Sequence, residues 1–268
     1  MKPRVILYCL LGGLPMAIAG LGGGKPGWWW LSGVLMAGGF VPVALRGPRS
    51  AAGQFGVIAS VLLVVASLCT WSEGIVFMPS FREHAWRDLG GSMGMNLVVA
   101  AGLAALAWGL KLTQGPEEKV ERRSLGSTIP LVLACGAAYV IYYLFFGAIT
   151  YEHFTKVYYP EAAQLVGKIG GMFWVIQLGR GVLMTLAAIP VIYTLRMKRW
   201  QAAIAVGALI WIAGGAAPLL APNEWMGTRQ RIIHIVEIFT QNASLGVTAV
   251  FLLRPRKARA AAGAPVLA

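Results

Sequence analysis

Long apolar stretches separated by short polar linkers run along almost the whole chain. Each is close to the ~20 residues that a helix needs to cross the ~30 Å hydrocarbon core of a bilayer. The pattern predicts eight transmembrane helices, over 4–21, 28–45, 54–78, 91–112, 127–149, 168–195, 200–221 and 231–253. We therefore expect an all-α integral membrane protein, a bundle of eight transmembrane helices forming one polytopic domain over 1–268.

The first apolar stretch also has features of a secretory signal peptide. The basic start MKPR precedes it, and small residues stand at its end, at 17–19. Because seven further spans follow, we interpret it as the first transmembrane helix.

Composition and charge fit this interpretation. The chain is 57% hydrophobic and only 12% charged, whereas soluble domains have about 25% charged residues. If the N-terminus is cytoplasmic, the linkers and tails on that side hold fifteen lysines and arginines and the other side holds seven. The positive-inside rule then places both termini in the cytoplasm, in a cell (inner) membrane. The net charge of +13 reflects topology and attraction to bilayer headgroups, and no nucleic-acid partner is expected.

The two halves of the chain resemble each other weakly. Segment 33–45 reads GVLMAGGFVPVAL and segment 181–193 reads GVLMTLAAIPVIY, and Asn96 and Asn242 stand at nearly corresponding places. An even number of spans in each half would make them parallel repeats. The predicted arrangement is two four-helix halves, 1–112 and 127–254, joined by a cytoplasmic linker, 113–126, and followed by a basic C-terminal tail, 254–268. Chance similarity between apolar helices is the alternative.

The eighth predicted helix carries a polar stripe. At ~100° per residue, five polar side chains share one side of it: His234, Glu237, Gln241, Ser244 and Thr248. Apolar residues occupy the other side: Ile232, Ile233, Ile235, Phe239 and Val250. Ionisable groups at membrane depth are costly unless they are paired or hydrated, so the stripe is a candidate functional site.

Other polar residues are expected near the stripe, in the outer half of the membrane. Arg180 and Gln177 lie in the sixth helix, and Arg180 is predicted at the depth of Glu237, where the two would form an ion pair. Glu73 lies near the outer end of the third helix. Two further candidates, Glu152 and His153, stand where the fifth helix reaches the outer surface.

These groups admit several interpretations. Arg180 and Glu237 would be a structural ion pair, part of a path for a solute or proton, or a catalytic acid and base. His234 would be a hydrogen-bonded interior histidine or a ligand. The sequence indicates no metal site and identifies no cofactor, and the three cysteines, Cys9, Cys69 and Cys135, lack the spacing of a zinc site or a disulfide framework.

The fifth helix and its exit are rich in aromatic residues: Tyr139, Tyr142, Tyr143, Phe145, Phe146, Tyr151, Phe154, Tyr158 and Tyr159. Aromatic belts mark membrane interfaces in many proteins. The alternative is a wall for an apolar ligand, with ring faces and hydroxyl groups supplying the contacts.

Three functions remain open at this point. The first is a transporter or permease for a small or lipid-like solute, with Arg180, His234, Glu237 and Gln241 along its polar path. The second is a membrane-embedded enzyme acting on a lipid-linked substrate. The third is a non-catalytic accessory subunit whose buried polar groups only fix helix packing. The sequence does not determine the oligomeric state.

Overall fold

The computed structural model describes residues 3–21, 25–77, 79–113, 120–157, 162–223 and 226–255, and these fold into a bundle of helices. The helices are α1 (Pro3–Gly12, continued by Leu14–Ala19), α2 (Pro26–Arg46), α3 (Ala51–Val61, Leu62–Cys69 and Thr70–Phe77), α4 (Ala85–Gly109), α5 (Leu125–Thr150 and Tyr151–Thr155), α6 (Gly171–Thr194), α7 (Arg199–Trp211, Ile212–Ala216 and Ala217–Leu220) and α8 (Thr228–Leu253). A short 3₁₀ helix, Pro79–Glu83, precedes α4, and a short α-helix, Ala162–Ile169, precedes α6.

Seven of these helices, α2 to α8, are long and apolar enough to cross a membrane, so the predicted count of eight is not exact. The expected first span is a shorter apolar segment, Pro3–Ala19, interrupted at Gly13. It nevertheless packs antiparallel to the first half of α2. Gly12 lies against Ala37, and Gly20 lies against Trp29.

Several of the arginines predicted for the cytoplasmic side, among them Arg46, Arg123 and Arg196, lie at one end of the bundle, which we call the basic face. Arg196 donates to the backbone carbonyls of Arg46 and Gly47, at 3.1 and 2.8 Å, and Arg123 donates to those of Leu252 and Leu253. Helix C-termini present unpaired carbonyls and partial negative charge. Arg196 therefore caps the C-terminus of α2, and Arg123 caps that of α8.

Close helix crossings depend on glycine pairs. A Cβ atom on Gly246 of α8 would lie 2.6 Å from the Cα atom of Gly207 in α7. A Cβ atom on Gly181 of α6 would lie 2.9 Å from the Cα atom of Gly136 in α5. Small residues let backbones approach this closely, and dispersion contacts then hold the helices together.

Three helices contain π-helical segments: Leu62–Cys69 in α3, Tyr151–Thr155 in α5 and Ile212–Ala216 in α7. The segments of α3 and α7 pack against each other near the centre of the bundle. The α3 segment also contacts α6, and the α7 segment contacts α2. Single π-helical turns inside α-helices often occur at functional sites.

Candidate functional site

A cavity of about 580 Å³ lies between α3, α4, α5, α6, α7 and α8, at the end of the bundle away from the basic face. Its volume falls within the range of about 300–1,000 Å³ that is typical of ligand pockets. Each of the three π-helical segments contributes to its wall, through Ser67, Tyr151 and Gly214 among others. The candidates Glu73, His234 and Glu237 also line it.

A buried ion pair between α3 and α6 lies beside this cavity. Arg180 Nη2 donates to Glu73 Oε2 at 2.8 Å, and Arg180 Nη1 donates to Gln177 Oε1 at 2.9 Å. The side chain of Arg180 is only 6% exposed and that of Glu73 is 17% exposed. The guanidinium also lies 5.8 Å from the centre of the Tyr139 ring, within cation–π distance. Arg180 is thus fixed by a carboxylate, an amide and an aromatic ring.

We expected Arg180 and Glu237 to interact directly or through one water molecule; the direct pair is wrong, because Arg180 pairs with Glu73 instead. Glu237 pairs within its own helix: His234 Nδ1 lies 2.9 Å from Glu237 Oε2. The two side chains are three positions apart and therefore lie on the same side of α8. The sequence analysis had placed Glu73 in the outer half of the membrane as well. Depth alone therefore could not decide which of the two carboxylates pairs with Arg180.

The stripe on α8 faces α5. A Cβ atom on Gly147 of α5 would lie 3.6 Å from Gln241 Nε2 and 4.0 Å from Glu237 Oε1. Closer to the basic face, the hydroxyl groups of Thr248 and Tyr142 lie 2.8 Å apart. A polar row therefore continues from the cavity along the contact between α8 and α5.

The opposite side of α8 is only partly lipid-facing. Ile232 and Phe239 are exposed, as expected, but Val250 is buried. Most buried residues of α8 lie in its second half, from Gln241 to Leu253, so its apolar side is also covered by protein near the basic face.

Several buried hydrogen-bonding atoms next to the site have no protein partner. They are Gln177 Nε2, Arg180 Nε, Gln241 Nε2 and Asn242 Oδ1. Gln177, Gln241 and Asn242 are at most 2% exposed. Leaving a buried polar group without a hydrogen bond costs about 1–3 kcal/mol. The arrangement therefore leaves unused hydrogen-bonding groups buried beside the cavity.

Aromatic side chains form much of the cavity wall: Trp71, Phe81, Tyr143, Tyr151, Phe173 and Trp174. The ring of Tyr143 packs edge-on against that of Phe173, with centroids 5.7 Å apart. Two of the aromatic residues singled out in α5, Tyr143 and Tyr151, thus belong to a cavity wall. Phe145 and Phe154 are exposed and do not line this cavity, and Tyr158 and Tyr159 lie outside the described residues.

Several lining residues were not predicted from the sequence. Ser67 and Ser92 lie 2.9 Å apart through their hydroxyl groups, and Asn96 Nδ2 donates to Ser67 Oγ at 2.8 Å. Asp88 lines the cavity as well. Asp88, Ser92 and Asn96 recur at a spacing of four, which places them on one side of α4. That pattern was available in the sequence.

The two remaining candidates, Glu152 and His153, do not join this site. They line a separate cavity of about 320 Å³ with Lys156, Val157 and Arg229. Lys156 Nζ donates to Glu152 Oε1 at 3.0 Å, and this hydrogen bond raises the pKa of Lys156. Within the described ranges, no group of three or more His, Cys, Asp or Glu side chains converges as a metal site would require.

Comparison with known proteins adds no functional assignment. No family model, curated protein or solved structure matches the chain.

Proposed function

We propose that this polytopic membrane protein is a transporter for a small or lipid-like solute. One observation supports the proposal: a row of polar side chains on α8 starts at the cavity wall and extends toward the basic face along the contact with α5. The row begins at His234 and Glu237, which line the cavity, and passes Gln241 and then Thr248. A solute path from the cavity to the basic face needs several polar groups along its length. Fixing the register of a helix needs only one or two.

The size and lining of the cavity support a solute with an apolar body. Apolar surface dominates the wall, and three of its lining residues, Leu144, Ala148 and Trp174, are exposed. We infer that these side chains border lipid at the mouth of the cavity. A solute dissolved in the membrane would then reach the cavity between α5 and α6.

The arrangement of the two halves supports alternating access. If the halves are repeats, α2 corresponds to α6 and α3 corresponds to α7. Helix α2 contacts α7, and α6 contacts α3. A pseudo-twofold axis along the membrane normal would produce this pair of equivalent contacts. Helices α3 and α7 carry π-helical segments at corresponding places. Asn96 contacts the first of these segments, and Asn242 lies against Gly214 in the second. We therefore interpret 1–112 and 127–254 as parallel repeats that rock against each other.

Side-specific labelling tests the proposal. Single cysteines replace Glu237, Gln241 and Ser244 in a variant lacking Cys9, Cys69 and Cys135, and a membrane-impermeant thiosulfonate is added to sealed vesicles of either orientation. We expect position 237 to react from the side opposite the basic face. Positions 241 and 244 should react from the basic face in the fraction of molecules that open there. Phe239→Cys, on the exposed apolar side of α8, is the matched control and should remain unlabelled.

A second candidate is a membrane-embedded enzyme acting on a lipid-linked substrate. The hydrogen-bonded pair His234–Glu237 on the wall favours it, because a carboxylate that orients an imidazole is a common acid–base arrangement. The same experiment separates the two functions. An enzyme with a one-sided cleft would leave positions 241 and 244 unlabelled from the basic face, and that result would rule out transport by this path.

The accessory-subunit hypothesis is less well supported. It requires the polar stripe to be sealed by helix contacts, whereas His234 and Glu237 border open space. Labelling of neither 237 nor 241 from either side, in a folded protein, would revive it.

A further inference from the structure

We propose that the cavity binds an organic cation with an apolar body, and that Glu237 is its counter-ion. This inference rests on the proposed function only in treating the cavity as a solute site. It names the charge and chemical class of that solute, which the transport proposal leaves open.

The charge of the wall is the first argument. Three carboxylates line the cavity, those of Glu73, Asp88 and Glu237. No lysine or arginine lines it within the part of the chain that the structure describes. The whole chain has 23 basic and 10 acidic residues. The cavity thus reverses the charge balance of the protein, which would raise the local concentration of cations.

The three carboxylates differ in how they are neutralised. Glu73 forms a salt bridge with Arg180, and Asp88 lies 3.6 Å from Arg87 at the surface. The partner of Glu237 is His234, which is charged only when it is protonated. Glu237 is therefore the one of the three without a permanent cationic partner, and a bound cation can take the place of the proton on the pair.

Arg180 does not oppose this assignment. Its side chain lies behind the wall, and its guanidinium is held by Glu73, Gln177 and the face of Tyr139. The spare nitrogen donors of Gln177 and Gln241 likewise belong to buried residues that do not line the cavity.

Aromatic rings supply the second argument. Trp71, Tyr143, Phe173 and Trp174 belong to the wall that also holds Glu237. The face of an aromatic ring attracts a cation, by about 0.5–1 kcal/mol when exposed and about 2 kcal/mol or more when desolvated. A wall that combines rings with a carboxylate lacking a permanent cationic partner would favour an organic cation over an organic anion of the same shape.

A pair of probes of equal shape and opposite charge tests the proposal. Saturable binding of tetraphenylphosphonium and of tetraphenylborate to the purified full-length protein in detergent is measured by equilibrium dialysis, and binding to protein-free micelles is subtracted. We expect the cation to bind saturably and the anion neither to bind saturably nor to compete. Glu237→Gln should weaken binding of the cation at least tenfold. Saturable binding of the anion alone, or equal binding of both ions, would overturn the proposal.

Matched variants keep the experiment decisive. Glu152→Gln removes a carboxylate from the same face outside the cavity and should leave the affinity for the cation unchanged. If Glu237→Gln fails to fold, Glu237→Asp and Trp174→Leu take its place. Glu237→Asp keeps the carboxylate and should retain binding of the cation. Trp174→Leu removes an aromatic ring from the wall and should weaken it. The opposite pattern would contradict the assignment. Side-specific labelling at 241 and 244 uses no probe cation, so failure of cation binding and failure of transport are distinguishable.

Discussion

The buried pair Arg180–Glu73 offers the strongest test of the packing. Its atoms Nη2 and Oε2 lie 2.8 Å apart, and the side chain of Arg180 is only 6% exposed. At an effective dielectric constant of ~20, the Coulomb attraction over this distance is roughly 6 kcal/mol before the desolvation cost is subtracted. Breaking a buried pair by removing one partner typically costs about 3–5 kcal/mol, because the other charge is left without compensation.

Arg180→Gln and Glu73→Gln should therefore each lower the free energy of unfolding by about 3–5 kcal/mol. The double variant should cost clearly less than the sum of the two, since it leaves neither charge behind. The measurement is a double-mutant cycle by equilibrium unfolding in detergent micelles. The cycle of Arg180→Gln with Glu152→Gln is the control, because Glu152 pairs with Lys156 on the surface and no described contact joins it to Arg180.

Additivity within about 0.3–0.5 kcal/mol in the Arg180–Glu73 cycle would refute this reasoning, because independent sites behave in that way. Strong coupling between Arg180 and Glu237, with none to Glu73, would restore the pairing predicted from the sequence. Arg180→Lys should also destabilise the protein, since an ammonium group does not reproduce the planar contacts to both Glu73 and Gln177.

Three further outcomes are expected. Gly246→Ala should lower the free energy of unfolding by about 1–3 kcal/mol, since the added Cβ atom would overlap the backbone of α7. Gly94→Ala is the control, because its Cβ atom would meet open space. It should leave the free energy of unfolding unchanged or raise it by up to about 1 kcal/mol. Arg123→Ala should lower the free energy of unfolding by about 1–3 kcal/mol, because the side chain donates to two carbonyls at the end of α8. Arg122→Ala, at the exposed neighbouring position, should have almost no effect. Equal effects of the two variants would argue against helix capping. A cysteine at position 122 should react with an impermeant reagent only from the cytoplasm, and labelling from outside would invert the topology.

The helices were largely predictable because their signal is local. Seven of the eight predicted apolar stretches correspond to helices that are long enough to span, with ends shifted by a few residues. In α8, for example, the prediction was 231–253 and the helix is Thr228–Leu253. The first stretch was overestimated, because the break at Gly13 divides an apolar run whose hydropathy alone shows no interruption.

The membership of the site was partly predictable. The stripe on α8 follows from helical periodicity, and His234 and Glu237 do line a cavity. Glu152 and His153 were grouped with them on depth alone, but the two lie in a separate cavity. Depth along the membrane is encoded in sequence position, whereas direction around the bundle depends on how all the helices pack.

What the sequence by itself determined is therefore the seven spanning helices and the polar side of α8, because the bilayer imposes a length and a hydropathy on every span. Only the tertiary structure decided that Arg180 pairs with Glu73, that His234 is the partner of Glu237, and that a cavity separates these two pairs from α4. Those contacts join residues that are distant along the chain. They depend on close crossings such as Gly136–Gly181 and Gly207–Gly246, which set the angle at which each polar side faces its neighbours.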